Sequence, residues 1–224
     1  MTTRQDIQRL IGPLLEQDDE LFAFEDYLAI RPVRHVLMAL RLVRGGSKGE
    51  ILAEMCPALL PQLEPGQRPF IPEPQFFWPY DRVWNPGEAE YPHNRQMKLK
   101  YHLIPEMKQF NRIVMFEAIA RQYLAGQSTE YAECHTILAM TQGRFSFALN
   151  GLATGPGGRI CEFANAHSPG LGDRLREQGD DLPTEDKRAL IDMLHARERN
   201  AIHALKLEKH WQPSLFPAEE KGLV

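Results

Sequence analysis

The hydrophobic positions of the first half of the chain recur mostly at helical spacing. Residues 2–29 predict two helices, and the run 33–44, with apolar side chains three and four residues apart, predicts a third. The pair Gly45-Gly46 is a suitable C-terminal cap for that helix. Residues 47–50 have the Ser-x-x-Glu pattern of a capping box and predict a further helix, which Pro57 would end.

Helical spacing resumes near Pro105. Apolar side chains on one face predict a helix from about residue 113 to Gly126, and Ser128 or Thr129 would cap the next one. A final long helix is predicted from Thr184 to about His210. Residues 145–149 alternate Phe, Ser, Phe, Ala and Leu, a pattern that fits a short helix or a strand equally well. The chain as a whole is therefore predicted to be all-α.

The segment 57–104 interrupts this helical pattern. Together with Pro105 it holds ten of the chain's seventeen prolines, which exclude a regular helix or a central strand. A disordered linker would contain few aromatic residues, yet this segment is rich in them. We expect an ordered, irregular arm whose rings pack on the body or on a partner; the candidate partner-binding rings are Phe76, Trp78 and Trp84.

Length and composition narrow the class of protein. A chain of 224 residues with 43% hydrophobic residues is expected to form one domain, residues 1–224. Three scattered cysteines favour a reducing compartment, and no apolar run approaches the roughly 20 residues of a membrane span. The N-terminus lacks the apolar core of a signal peptide, so a cytoplasmic location is expected. A net charge of −4 and a pI of about 6.1 exert no global attraction for nucleic acid, so DNA contacts require a local basic patch.

A candidate DNA-binding unit is predicted at residues 112–152. Three predicted helical segments are joined by turns at Gly126 and Gly143, and the stretch 120–128, Ala-Arg-Gln-Tyr-Leu-Ala-Gly-Gln-Ser, resembles the entry to helix-turn-helix DNA-binding domains. The resemblance implies that the third segment lies in the major groove. Arg144, Ser146 and Asn150 would then contact bases or phosphates. The alternative is three ordinary core helices.

A basic cluster precedes this unit and extends the candidate DNA surface. Its members are His93, Arg95, Lys98, Lys100, His102, Lys108 and Arg112. Cations there alternate with Tyr101 and Phe110, and cations beside aromatic rings suit phosphate and base contacts. A solvated helix face is the alternative interpretation. The candidate DNA-binding residues of the cluster are Arg95, Lys98, Lys100 and Arg112.

The C-terminal segment 211–224 is predicted to be a flexible tail that carries a docking peptide. Residues 212–216 read Gln-Pro-Ser-Leu-Phe, which resembles the pentapeptide by which bacterial replication and repair proteins bind the sliding clamp. The resemblance implies that Gln212, Leu215 and Phe216 contact the partner, because an extended peptide presents two apolar anchors and one amide. The alternative is a latch in which Trp211, Leu215 and Phe216 fold back on the protein.

Histidines and glutamates suggest a further alternative, a helical metalloenzyme. Glu130, Glu133 and His135 lie on one predicted helix, and His195 and Glu198 share a face of the last helix. The spacing does not match the Glu-x-x-His pairs of di-iron bundles, and no complete ligand set is found. No metal and no cofactor are therefore expected.

The sequence thus favours a non-enzymatic factor that acts at DNA, in regulation, replication or the maintenance of a mobile element. The predicted partners are DNA and a protein, with the replication sliding clamp as the candidate. The second hypothesis is a protein-interaction adaptor or inhibitor that uses the aromatic arm, and the third is the helical metalloenzyme.

Overall fold

The computed structural model describes residues 4–44, 51–63, 97, 99–114, 116, 129–146, 148 and 157–224. Its contacts divide the chain into two compact units. Unit 1 contains residues 1–58, 68–112 and 209–212, and unit 2 contains residues 59–67, 113–208 and 213–224. Each unit is described by itself.

Unit 1 contains a four-stranded sheet, so the all-α prediction is wrong. The strands are β1 (Leu21–Phe24), β2 (Tyr27–Ile30), β3 (Val36–Arg44) and β4 (Ile51–Leu59). They lie side by side in chain order, and the pairs β1–β2 and β2–β3 are antiparallel. The protein is therefore a mixed α and β structure.

A tight hairpin replaces the predicted second helix of residues 2–29. Phe24 pairs with Tyr27, so only Glu25 and Asp26 form the turn. Glu25 has a φ of 47°, and two-residue hairpin turns require such a positive φ. The first predicted helix is present as α1 (Arg4–Gln17).

The helix predicted over residues 33–44 is also absent, and β3 occupies most of that run. Val36 to Leu40 are five consecutive buried residues, which an amphipathic helix with one polar face cannot provide. A strand between two neighbours can bury both of its faces, and it then reads as a continuous apolar run. The apolar positions of β3 thus fit helical spacing only because nearly every position is apolar.

β4 replaces the helix predicted after residues 47–50, and it includes the start of the predicted irregular arm. Pro57 lies inside β4 rather than ending a helix. Proline lacks the N–H that a central strand needs, and β4 is at the edge of the sheet, where proline is tolerated. Of the predicted arm, residues 60–62 form a 3₁₀ helix, whereas residues 64–96 lie outside the described part of the chain.

Helices complete unit 1. α1 packs beside β1, and α2 (Ile104–Phe110), which follows a π-helical turn over Leu99–Leu103, packs against β3. Leu10 and Leu14 of α1 and Ile104 and Met107 of α2 are buried. The core of unit 1 therefore lies between the sheet and these helices.

Unit 2 is helical, as the sequence predicts. Its described helices are α3 (Thr129–Thr141), α4 (Gly157–His167), α5 (Leu171–Gln178), α6 (Thr184–Leu205) and α7 (Pro217–Glu220), and Phe145, Ser146 and Ala148 belong to a further helical turn. The start at Thr184 matches the prediction, but α6 ends five residues before His210. Lys206 ends it with a φ of 57°. None of the described helices is long and apolar enough to cross a membrane.

α4 and α5 approach each other closely at Gly172. A Cβ atom at this position would lie 2.2 Å from the carbonyl oxygen of Cys161, well inside van der Waals contact. The amide of Gly172 donates a hydrogen bond to Oδ1 of Asn165 at 2.7 Å. Only glycine fits this crossing, because any side chain would force the two helix backbones apart.

We expect Gly172→Ala to lower the free energy of unfolding by at least about 2 kcal/mol, since overpacking against backbone cannot relax through a rotamer change. Gly12→Ala is the matched control. Gly12 lies in α1 with no atom within 4 Å of an added Cβ, so alanine there is expected to stabilise the protein by up to about 1 kcal/mol. Denaturant unfolding of both variants measures the difference. Equal stability of the two variants would contradict the close approach.

Candidate functional site

The segment Gln212–Phe216 lies between a 3₁₀ helix (Glu208–His210) and α7, and it has no helical structure of its own. Two prolines account for this. Gln212 precedes Pro213 and Phe216 precedes Pro217, and a residue before proline is restricted to extended conformations. Phe216 has a φ of −72° and a ψ of 158°, as expected. The local sequence therefore presents this pentapeptide, hereafter the docking peptide, as extended chain.

The first residue of the docking peptide is fixed by backbone pairing within unit 1. Trp211 forms a parallel bridge with Val33, and the amide of Gln212 donates to the carbonyl oxygen of Val33 at 2.8 Å. Oε1 of Gln212 accepts a hydrogen bond from Nη2 of Arg34 at 3.2 Å. The side-chain amide that the clamp resemblance assigns to a partner therefore contacts Arg34 of the same chain.

The last residue of the docking peptide, Phe216, is fully buried in unit 2. Its ring stacks on the ring of His195, with 4.3 Å between centroids and 28° between planes. Oε2 of Glu219 accepts the amide hydrogen bond of Phe216 at 2.7 Å and lies 2.8 Å from Nε2 of His195. One carboxylate thus holds both the backbone of Phe216 and the ring on which it stacks.

Leu215 and Phe216 have opposite environments. Leu215 is 56% exposed, whereas Phe216 is 0% exposed, because successive side chains of an extended chain point to opposite sides. Pro217 and Ala218 are also buried. The protein therefore offers one anchor of the docking peptide to solvent and keeps the other in its own core, so both anchors can contact a partner only if Phe216 leaves this position.

The helix-turn-helix-like segment is capped by an acidic residue from elsewhere in unit 2. The amide of Ser146 donates to Oδ1 of Asp180 at 2.8 Å, and the amide of Asp180 donates to Oγ of Ser146 at 2.9 Å. Partial burial alone would raise the pKa of Asp180. Hydrogen bonds from Ser146 and from the amide of Phe145, together with the charge of Lys187, nevertheless lower that pKa below its usual value. Asp180 is therefore a charged carboxylate at neutral pH.

This cap bears on DNA recognition by the third segment. The N-terminal residues of the reading helix contact base edges in helix-turn-helix proteins. Here that end is occupied by a carboxylate, which repels phosphate, while Phe145 is buried and Arg144 is half-buried. Ser146 is exposed but bonded to Asp180. This arrangement therefore does not favour base contacts by the N-terminal residues of the third helical segment.

Part of the predicted basic cluster does reach solvent in unit 1. Lys100, Tyr101, His102 and Arg112 are exposed, and Nζ of Lys100 lies 5.6 Å from the centroid of the Tyr101 ring. Nζ of Lys100 also donates to Oε1 of Gln17 at 2.8 Å. This group combines cations with an aromatic face, as the sequence suggests.

Acidic neighbours reduce the cluster's net charge. Nζ of Lys108 lies 2.8 Å from Oδ2 of Asp18 and also pairs with Glu20. Burial alone would lower the pKa of Lys108, but its hydrogen bonds to the two carboxylates raise it. Lys108 is therefore charged but neutralised locally.

The residues of the metalloenzyme alternative do not meet as a ligand set. Glu133 is buried and pairs with two cations, Nη2 of Arg159 at 2.8 Å and Nη2 of Arg197 at 3.9 Å. His195 faces Glu219 and Phe216 instead, while His135 is half-buried and Glu198 is buried on α6. Among the described residues, no group of three or more His, Cys, Asp or Glu is arranged to hold a metal ion.

Glu133, Arg159 and Arg197 form a charged cluster, hereafter the Glu133 cluster. The surroundings of Arg197 indicate that this cluster has a structural role. Nε of Arg197 donates to the carbonyl oxygen of Pro61 at 2.5 Å, and its guanidinium lies 3.7 Å from the centroid of the Phe163 ring. The cluster therefore joins the 3₁₀ helix over residues 60–62 to α3, α4 and α6.

The cysteines offer no nucleophile. All three are buried and none forms a disulfide. Burial, assisted by the charge of Glu133, raises the pKa of Cys134 to about 12, so almost no thiolate exists at neutral pH.

Other candidate residues lie outside the part of the chain that the structure describes. These residues belong to the predicted aromatic arm, to the basic cluster, to the end of the third helical segment and to the metalloenzyme alternative. They are Phe76, Trp78, Trp84, Arg95, Lys98 and Asn150, together with the side chain of Glu130.

Sequence reasoning missed the two partners of Phe216. Glu219 is the third residue of α7, the position at which a capping-box glutamate reaches back to the amide before the helix, and the pattern Phe-Pro-x-Glu was a local signal for it. His195 lies 21 residues earlier on α6, and no local pattern relates it to Phe216.

Comparison with known proteins finds no family model, no curated protein and no solved structure that matches this chain.

We expect Asp180→Ala to lower the free energy of unfolding by about 0.5 kcal/mol at pH 7, the lower end for a lost helix cap because Asp180 is exposed. A lowered folded-state pKa stabilises the protein above the usual value of 3.8 and ceases to do so as pH falls through the folded-state value. The difference from wild type should therefore shrink at pH 3. Denaturant unfolding at both pH values measures it, with exposed Asp181→Ala as control. A difference that is the same at both pH values would count against the cap.

We expect Glu133→Gln to lower the free energy of unfolding by about 2–3 kcal/mol, because it leaves two cations facing a neutral amide. Glu162→Gln, an exposed glutamate of α4, is the control and should be close to neutral. Elemental analysis of the purified wild type and variant completes the test. A bound metal that disappears with Glu133→Gln would assign Glu133 as a ligand instead.

Proposed function

We propose that this protein is a non-enzymatic docking factor in DNA metabolism, and that the docking peptide Gln212–Phe216 binds the bacterial replication sliding clamp. The observation that carries the proposal is the extended docking peptide with Leu215 56% exposed beside Phe216. A large apolar side chain held in solvent next to a second anchor is typical of a peptide that binds a partner.

The chemistry of the docking peptide supports this partner. Burying Leu215 and Phe216 on a partner would contribute about 2 kcal/mol each, and the Gln212 amide adds hydrogen bonds that set the register. Two prolines reduce the conformational freedom that the peptide loses on binding. We expect a Kd on the order of 10 µM for the isolated peptide, equivalent to about −7 kcal/mol.

The test is fluorescence anisotropy of a labelled synthetic peptide, residues 209–224, titrated with purified bacterial sliding clamp. Leu215→Ala and Phe216→Ala are each expected to weaken binding by at least about tenfold, the effect of losing one apolar anchor. Ser214→Ala, which keeps a small residue between Pro213 and Leu215, is the matched control and should bind like wild type. If the wild-type peptide does not bind, or if all three variants bind equally, the proposed function is wrong.

A second candidate function is direct contact with single-stranded DNA by Lys100, Tyr101, His102 and Arg112. The observation that favours it is the exposed Tyr101 ring, 56% accessible, with the Lys100 ammonium beside it. Exposed rings stack bases, and neighbouring cations bind phosphates. The net charge of −4 limits such binding to low ionic strength.

Anisotropy with a labelled single-stranded oligonucleotide at low and moderate salt tests this candidate. We expect Arg112→Ala to weaken binding several-fold and to reduce the salt slope by about one, as expected for one lost phosphate contact. Arg144→Ala is the comparison, because a helix-turn-helix mode would make that variant the weaker binder. An affinity that does not change with salt concentration, or no binding at low salt, would reject DNA contact by this surface.

A further inference from the structure

We infer that the protein stores its docking peptide in a masked state, in which Phe216 is held by His195 and Glu219 until a partner displaces them. This inference rests on the proposed function, because it concerns the accessibility of the same peptide. Phe216 is 0% exposed, whereas Leu215 is 56% exposed, so the folded chain presents only one of the two apolar anchors to solvent.

Three contacts within unit 2 form the mask. The Phe216 ring stacks on His195 at 4.3 Å, the Phe216 amide donates to Oε2 of Glu219 at 2.7 Å, and the same Oε2 lies 2.8 Å from Nε2 of His195. Glu219 is the shared member of these contacts. Its removal therefore loosens the backbone and the ring partner of Phe216 together.

A fourth contact holds the end of the chain. Leu223 packs over Gly143, where an added Cβ would lie 3.0 Å from Cδ1 of Leu223, and Gly143 has a φ of 75°. The C-terminal segment is thus fastened at Phe216 and again at Leu223, on either side of α7. A glycine is favoured at position 143 because its φ is positive and because a side chain there would crowd Leu223.

The mask can open without unfolding the rest of unit 2. α7 has four residues, and a helix of one turn is not stable without tertiary contacts. Release of Phe216 therefore costs only the contacts of this single turn, whereas α6, which carries His195, keeps its own 22-residue helix.

Masking has a quantitative consequence for binding. A partner that needs Phe216 binds only the open fraction, so the apparent Kd equals the intrinsic Kd divided by that fraction. The exposed Leu215 allows a first contact before Phe216 is released. We expect the full chain to bind the sliding clamp about 10- to 100-fold more weakly than the 209–224 peptide.

The test compares full-length wild type, Glu219→Ala and Glu220→Ala by calorimetric titration with the sliding clamp. Glu220 is the matched control, because it is an exposed glutamate on the same helix and contacts Phe216 through its backbone amide, which donates to the Phe216 carbonyl oxygen. We expect Glu219→Ala to bind at least tenfold more tightly than wild type and Glu220→Ala to bind within twofold of it. The double variant Glu219→Ala with Phe216→Ala should lose the gain.

Amide hydrogen exchange provides a readout that does not require the partner. The Phe216 amide should exchange at least tenfold faster in Glu219→Ala than in wild type, with protection of α6 unchanged, which also shows that the variant is folded. Unchanged exchange at Phe216, or full-length wild type binding as tightly as the peptide, would overturn the masking inference. Failure of the peptide itself to bind would instead reject the clamp as partner, and the exchange result would still decide whether Phe216 is masked.

Discussion

Unit 1 depends on the burial of both faces of β3. Five consecutive apolar residues, Val36 to Leu40, are removed from water between the flanking strands and the helices that pack on the sheet. Their combined burial contributes on the order of 10 kcal/mol before the cost of ordering the chain is subtracted. Val33 and Arg34 lie just before β3. They contact Trp211 and Gln212, and these contacts place the start of the docking peptide.

Unit 2 uses charge as well as apolar packing. The carboxylate of Glu133 lies between the guanidinium groups of Arg159 and Arg197, and Arg197 also contacts the Phe163 ring and the Pro61 carbonyl. Charges in a core are costly unless they are paired, and each of these groups has an opposite charge or a polar partner. The same pairing explains why Glu133 is an unsuitable metal ligand, since two positive charges already surround it.

The proposed function makes stability and binding compete for the Phe216 side chain. Phe216 contributes to the core of unit 2 when it stacks on His195, and it can contribute to a partner interface only after leaving that core. Under the proposed function, the docking peptide does not bind while Phe216 is buried and binds once Phe216 is released. The cost is affinity, because part of the binding free energy is consumed in opening.

Features that depend only on neighbouring residues can be predicted from the amino-acid sequence. α6 starts at Thr184, directly after its N-cap Pro183, and Pro213 and Pro217 impose extended conformations on the residues before them. The sheet could not be predicted in this way. An unbroken apolar run such as 36–40 satisfies helical and strand periodicity alike, and only pairing with β2 and β4 decided between them. The burial of Phe216 could not be predicted from the sequence either. Its partner His195 lies 21 residues earlier on α6, and only folding brings the two rings together.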